Sequence, residues 1–208
     1  MPKISVIMGI YNGTETMDEA IESICKQSYQ DWELIICDDC SQDKTLEKAK
    51  IWENRESRIK VIKNVKNQGL AATLNHCLRE ASGEYIARMD ADDIAVAERL
   101  EKQVIFMEKN KDVDILGTGI CIFGENINEY ERVFTTNPEQ PKAELIFNSC
   151  IAHPTVMIRS YILKDNGLRY NVEYAGAEDY NLWWKIAKVS RIATLPDILV
   201  RYRIHSSQ

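Results

Sequence analysis

No stretch of this 208-residue chain approaches the roughly 18 consecutive apolar residues of a membrane-spanning helix. Basic charge is also scarce: 26 Lys and Arg stand against 32 Asp and Glu, giving a net charge of −6 and a pI of about 5.2. Nucleic-acid binders normally carry a basic face, so this balance argues against a nucleic-acid partner. An anionic small ligand stays open where a metal ion or local cations mediate the contact. A secretory leader is not expected, because Met1-Pro2-Lys3 runs directly into an apolar segment without a small-residue cleavage site. Without such a leader, the six cysteines at 25, 37, 40, 77, 121 and 150 read as reduced thiols of a cytosolic protein. Cys37 and Cys40 form a C-x-x-C, but the second Cys/His pair that zinc would need is not nearby, and Cys37 ends an apolar run as a buried strand residue does. No G-x-G-x-x-G follows a strand and opens a helix, which removes a dinucleotide oxidoreductase. Internal repeats and low-complexity segments are absent too.

What is present is ordinary globular material, 45% hydrophobic and 28% charged, enough for a real core in one domain or one domain plus the start of another. Ile4 to Met8 is a β-branched apolar run closed by Gly9 and the turn signal Tyr11-Asn12-Gly13. Residues 16–27 show helical spacing, with Met17, Ala20, Ile21 and Ile24 on one face. Trp32 to Cys37 is a second strand and 43–53 a second helix. Ile59 to Ile62 is a third strand, Leu70 to Ala81 a third helix, Glu84 to Met89 a fourth strand, and 95–109 a fourth helix. Such alternation predicts a mostly parallel α/β sheet with helices on both faces. Beyond residue 112 the pattern changes. A strand kinked at Gly117 and Gly119 is expected over 115–123, a loop over 133–141, a short helix over 143–147 and a strand over 155–158. A helix over 179–187 and an antiparallel strand over 198–204 complete the series.

Two strands end directly in acids, where open α/β sheets place their ligands. Asp90-Ala91-Asp92-Asp93 puts three carboxylates in four residues, which repel one another unless a cation neutralises them. Mg²⁺ and Mn²⁺ prefer such oxygens and often bind through one or two carboxylates plus substrate phosphates. An acidic turn capping the next helix is the competing reading. Asp38-Asp39 after the second strand suits hydrogen bonds to a base or a ribose, or an ordinary Asp/Ser turn. Glu178-Asp179 opens a helix carrying Trp183 and Trp184, so it reads either as a general base in a partly desolvated pocket or as acids favoured by the helix dipole. Tyr11 could stack on a nucleobase or simply pack. His205 could touch metal or phosphate or stay exposed. Arg88 and Arg99 flank the aspartates and could pair with them or with phosphate.

Taken in order, these segments resemble the inverting glycosyltransferases of family 2. The carriers are Ser5 to Asn12, the stretch AIESICKQSYQDW from Ala20 to Trp32, LIICDDCSQD from Leu34 to Asp43, and Asn67-Gln68-Gly69-Leu70. They continue with Arg88 to Arg99, His153-Pro154 with Met157 to Arg159, Glu178 to Trp183, and Tyr202-Arg203-x-His205. The resemblance implies one Rossmann-like domain of the A-type glycosyltransferase fold over 1–208. Within it, 1–110 would be the nucleotide-sugar half and 111–208 a smaller, partly antiparallel acceptor side. It implies that Asp39, Tyr11 and the backbone near Gly9 bind the base of a UDP-sugar donor, with Asp38 supporting that loop. Asp90 and Asp92 would contact the ribose and a Mn²⁺ or Mg²⁺ ion, with Asp93 as the alternative ligand and His205 completing the metal or diphosphate site. Asp179 would be the general base, oriented by Glu178. A glycan or lipid-linked acceptor is implied, as is a role in surface-polysaccharide synthesis. Relatives continue past the position of His205, so a truncated C-terminus is expected, with peripheral association at the inner membrane face through a further segment.

The sequence departs from the pattern in two places. Gly9 stands where proline is common, and Leu70-Ala71-Ala72-Thr73 lacks an arginine sometimes found there. A nucleotidyltransferase on a related fold would need basic residues in the first loop, and Met8 to Gly13 has none. A non-catalytic sugar-nucleotide binding module predicts donor binding without transfer or hydrolysis.

Overall fold

The computed structural model describes residues 1–125, 127–134 and 143–205. Four strands form its parallel part: β1 (Ile4–Ile10), β2 (Trp32–Asp38), β3 (Ile59–Lys63) and β4 (Tyr85–Arg88), in the order β3-β2-β1-β4. The near-continuous apolar runs of β1, β2 and β4 follow from burial on both faces, whereas β3, at the edge, exposes Lys60. Successive side chains of a strand point to opposite faces. Val6, Met8 and Ile10 of β1 thus pack with Met17, Ile21 and Ile24 of α1 (Met17–Cys25), and with Leu100, Val104 and Met107 of α4 (Arg99–Lys109). Ile7 faces the other way, toward Leu74 and Cys77 of α3 (Leu70–Glu80). The helix α2 (Thr45–Arg55) joins the first face through Ala49.

The sheet continues past β4 with reversed direction. The strand β8 (Met157–Arg159) runs antiparallel to β4, pairing Tyr85 with Arg159, and bridges to β6 (Val113–Gly124). On the far side of β6 lies β9 (Arg191–Ile204). The two-residue β5 (Ile94–Ala95) closes that edge, and β7 (Tyr130–Arg132) pairs separately with β6. The helices α5 (Ser160–Asp165) and α6 (Glu178–Ala187) complete the described elements.

Several expectations change. The last strand begins at Arg191 rather than 198, and it is parallel to β6 along its length, being antiparallel only where it meets β5. Alternating burial reveals one covered face but not the direction of the neighbour. The fourth helix starts at Arg99, not 95, because residues 94 and 95 are drawn into the sheet by Arg201 and Val200. The strand expected over 155–158 is displaced: His153–Thr155 is a 3-10 turn, and pairing starts at Met157. The kink at Gly117 and Gly119 is a register shift between β6 and β9 on either side of Gly119. A Cβ at Gly119 would lie 3.2 Å from the carbonyl oxygens of Arg132 and Asp197. Of the helix expected over 143–147, residues 143 and 144 are helical and the next three form a turn. The loop over 133–141 falls mostly outside the described residues. The C-x-x-C makes no disulfide; Cys37 is fully buried in the core, as the packing reading holds.

Where the parallel and antiparallel parts join, Arg159 stitches three elements. Its guanidinium donates to the carbonyls of Val113 (3.0 Å) and Met107 (2.6 Å) and to the Tyr85 hydroxyl (3.0 Å), with Asp114 at 3.4 Å. The side chain is buried, so its removal leaves acceptors without donors. Arg159→Met is expected to lower unfolding free energy by about 3 kcal/mol in urea titration. A loss within experimental error of zero would show that this junction does not depend on the buried cation.

Candidate active site

Three loops leave the carboxyl ends of β1, β2 and β4. The first two are latched together. The Asn12 N–H donates to Ser41 Oγ (2.9 Å), and the Gln42 N–H donates to Asn12 Oδ1 (2.8 Å). Asn12 (φ 50°) and Cys40 (φ 62°) both occupy the left-handed region. Asparagine tolerates it, whereas for cysteine it is uncommon and is maintained by its surroundings.

Asp39 is 4% exposed and anchors a third segment. Its carboxylate accepts from the N–H groups of Gln68 (2.9 Å) and Gly69 (2.8 Å) and from Asn64 Nδ2 (2.7 Å). Gly69, at φ 82°, supplies a conformation that side-chain-bearing residues rarely adopt, just before α3. Asn64 is held in turn by His76 Nδ1 (2.9 Å), and its amide also donates to Thr73 Oγ1. The sequence reading missed this supporting pair; the sign available was a polar Asn directly after a strand. Together these groups frame a hollow of about 190 Å³ lined by Gly9, Ile10, Tyr11, Asp39, Asn67, Gly69, Leu70 and Thr73. A Cβ at Gly9 would crowd Leu70 and Thr73 at 3.1 Å, so glycine allows α3 to approach β1. Tyr11 stands at the mouth, 49% exposed. Asp38 is buried: Oδ2 accepts the Ser41 N–H (3.2 Å), which supports the loop, and Oδ1 has no partner.

The loop after β4 concentrates charge. One ligand oxygen from each of Asp90, Asp92 and Asp93 lies within 4.8 Å of the others. Arg88, itself buried, grips Asp90 through both terminal nitrogens. His205 Nε2 lies 2.9 Å from Asp92 Oδ2. Arg203 closes the loop from β9: its N–H donates to Asp93 Oδ1 and its Nε to the Asp92 carbonyl, both at 2.8 Å. Asp93 Oδ2 is buried without a partner. Burial, then the charge of Asp90, pushes the Asp93 carboxyl up to about 8. Burial raises Asp90 as well, and the Arg88 guanidinium offsets part of that rise. An orphaned carboxylate oxygen beside two further carboxylates is the donor set a hard divalent cation requires, so the residues fit Mg²⁺ or Mn²⁺. Arg99 does not join this cluster. Its guanidinium donates to the Arg88 carbonyl (2.7 Å), and burial lowers it to about 9.

The opposite wall comes from α6. Burial, reinforced by the charge of Glu178, raises the Asp179 carboxyl above the ordinary aspartate range. Its Oδ1 accepts the Tyr180 N–H (2.6 Å). Glu178 does not grip Asp179 by a hydrogen bond; its Oε2 accepts the Gly176 N–H (2.7 Å), so it shapes the preceding loop and acts on Asp179 through charge. A cleft of about 930 Å³ brings Asp90, Asp92, Glu178 and Asp179 together, with Arg88, His153, Arg203 and Leu70 also on its walls. Asp90 and Asp92 also line a second cavity of about 710 Å³ with Gly9 to Thr16 and His205. Since the small hollow shares Gly9 to Tyr11 with that cavity and Leu70 with the cleft, the candidate residues border connected space except Asp38 and Asp93, which are buried. His153, within hydrogen-bond distance of the Tyr170 hydroxyl (2.9 Å), is held neutral by burial and then by Arg88.

A family model described as glycosyl transferase family 2 matches residues 5–167. The putative glycosyltransferase EpsE of Bacillus subtilis is 45% identical over 184 residues, covering 88% of this chain and 66% of EpsE. The Escherichia coli protein WfgD, named as a UDP-Glc:alpha-D-GlcNAc-diphosphoundecaprenol beta-1,3-glucosyltransferase, is 34% identical over 206 residues, covering 98% of this chain and 78% of WfgD. Among solved structures, S. aureus TarS 1–349 in complex with UDP superposes with a TM-score of 0.80 at 28% identity, over 97% of this chain and 60% of that one. The mannosyltransferase PcManGT from Pyrobaculum calidifontis, in complex with GDP-Man and Mn²⁺, superposes at 0.76 with 20% identity, over 99% and 58%, and shares the fold. The α/β architecture is thus the A-type glycosyltransferase fold, and the chain spans about two thirds of EpsE and 60% or less of the two solved structures.

Carboxylates bind metal only when deprotonated, so binding releases protons. The raised Asp93 and Asp90 favour the protonated form in the metal-free fold, and stability from that source is present below the ordinary aspartate value and lost as pH climbs toward about 8. Mn²⁺ is expected to raise the Tm more at pH 8 than at pH 5, and Asp92→Asn to remove most of the gain. A Tm gain independent of both pH and Asp92 would exclude this cluster as the metal site.

Proposed function

The chain belongs to glycosyl transferase family 2, and from that premise we propose a metal-assisted, inverting transfer of sugar from a UDP-sugar to an acceptor hydroxyl, in the synthesis of a surface polysaccharide or other glycan. The observation that carries the reading is that Asp90 and Asp92, clustered with buried Asp93, share one cleft with Asp179 at the carboxyl ends of the parallel strands. Such ends are where open α/β sheets bind nucleotides.

The hollow framed by Asp39 receives the base, with Tyr11 stacking at its mouth and Gly9 giving the close approach. Asp39's filled hydrogen bonds make it the post that holds residues 68 and 69 around the base as much as a direct contact. Asp90, oriented by Arg88, reaches the ribose. Asp92, Asp93 and His205 hold Mn²⁺ or Mg²⁺. When bound, that ion supplies Lewis-acid stabilisation of the charge that builds on the departing diphosphate. Asp179 takes the proton from the acceptor hydroxyl as its oxygen attacks the anomeric carbon from the face opposite the diphosphate. One displacement inverts the configuration. The raised Asp179 carboxyl makes a stronger base than an exposed aspartate, and its ionised form does the work.

Supporting the donor, TarS is described in complex with UDP. Supporting the acceptor, the WfgD name specifies a sugar diphosphate carried on undecaprenol, and we assign this chain a glycan or lipid-linked acceptor on the same ground. No helix among the described residues is long and apolar enough to cross a membrane.

Asp179→Asn is expected to reduce transfer by roughly 10²–10⁴ while calorimetry shows donor affinity nearly unchanged. Loss of donor binding along with transfer would reassign the residue. In wild-type protein the rate is expected to climb with pH through a value above the ordinary aspartate range, since the base must be ionised. EDTA is expected to abolish turnover; full activity in EDTA would remove the metal from the mechanism.

A further inference from the structure

The cleft that carries Asp179 has a wall the reaction described so far does not use. It is built by β6, β7 and β9, which lie beyond β8 from the strands that frame the hollow around Asp39. Ile120, Ile122 and Val200 form an apolar cluster there, with the partly buried Phe134, Ala152, Tyr202 and Ile204 packed against it, and Ile120, Ile122 and Phe134 border the cleft. Tyr130, half exposed, and Arg132 stand on it at the solvent edge.

The cations around this cleft are not equivalent. Arg88 is committed to Asp90, and Arg203 to Glu19 and the Asp92–Asp93 loop. Arg132, among the described residues, has no carboxylate partner; its guanidinium lies 5.0 Å from the centre of the Phe134 ring. A guanidinium against an aromatic face keeps its fork of N–H donors available, and that fork matches phosphate oxygens two at a time. The remaining charges on the walls are the carboxylates of Asp90, Asp92, Glu178 and Asp179, and the protein's net charge is −6. An anionic acceptor therefore needs a local cation to enter, and Arg132 is placed to supply it. The apolar patch beside it suits a hydrocarbon segment attached to the same anion.

We propose that Arg132 is a specificity-determining residue of the acceptor side, binding the diphosphate of an acceptor whose sugar reaches Asp179 and whose hydrocarbon chain lies on the Ile120–Ile122–Phe134 patch. This rests on the glycosyltransferase reading of the cleft and adds the residue that reads the acceptor's charge. Arg132 touches neither the hollow around Asp39 nor the aspartate cluster, so its removal weakens the acceptor and spares the donor.

The test uses farnesyl diphosphate as probe, titrated calorimetrically into the protein with Mn²⁺ and UDP saturating, so that the donor half is blocked to a second diphosphate. Wild-type protein is expected to bind it, with an affinity that falls as salt rises. Arg132→Gln is expected to weaken binding at least tenfold, and Arg132→Lys by less. Farnesol is expected to bind weakly and equally to all three proteins, and UDP affinity is expected to be unchanged in each. Equal farnesyl diphosphate affinity in wild type and Arg132→Gln overturns the assignment, as does a loss of UDP affinity matching the loss of farnesyl diphosphate. A wild-type protein that binds UDP and turns over donor yet takes up no farnesyl diphosphate refutes the diphosphate acceptor alone. One that binds no UDP with Mn²⁺ present refutes the donor reading on which the proposal stands.

Discussion

Like-charge repulsion at the end of β4 is the constraint that organises this molecule. Three carboxylates occupy four residues, and one oxygen from each comes within 4.8 Å of the others. The surroundings compensate only in part. Arg88 neutralises Asp90, His205 contacts Asp92, and the Arg203 N–H satisfies one oxygen of Asp93. The other oxygen of Asp93 stays buried and unpaired, and its carboxyl is driven up to about 8. A buried charge without a partner costs several kcal/mol, so a fold that keeps this cluster has a stake in a cation.

The rest of the structure gathers the other candidate residues around that cluster. Parallel strands end their loops on one edge, so β1, β2 and β4 deliver Tyr11, Asp39 and the aspartates to the same side. The long β9 then returns beside β6 and brings Arg203 and His205 across about 110 residues of sequence to the loop at 90–93. Arg159 locks the junction where β8 reverses direction, and α6 sets Asp179 across the cleft. The acidic floor, Asp179 opposite it and the apolar wall carrying Arg132 divide one cleft into regions of different chemistry.

Much of this was legible in the chain itself, for local reasons. Apolar runs broken by acids reveal strands ending at a ligand edge, and Met17, Ile21 and Ile24 reveal a helix by spacing alone. What was not legible depends on partners distant in sequence. Asp92 and Asp93 look interchangeable in sequence, yet one meets a histidine and stays part-exposed while the other is buried under Arg203. Ala95 reads as the start of a helix because the two-residue strand it shares with Ile94 is too short to register as a period. Glu178 beside Asp179 suggests a direct orienting bond, whereas its carboxylate turns back to Gly176. Arg99 next to an acidic run suggests an ion pair, but a buried backbone carbonyl claims it.

The role proposed for these aspartates is to hold a divalent ion against a nucleoside diphosphate. Crystals grown with Mn²⁺ and UDP, measured at a wavelength where manganese scatters anomalously, test it most directly. One anomalous peak is expected within about 2.2 Å of a carboxylate oxygen of Asp92 or Asp93 and of a diphosphate oxygen. UDP bound in the cleft with no anomalous peak beside those residues would contradict it.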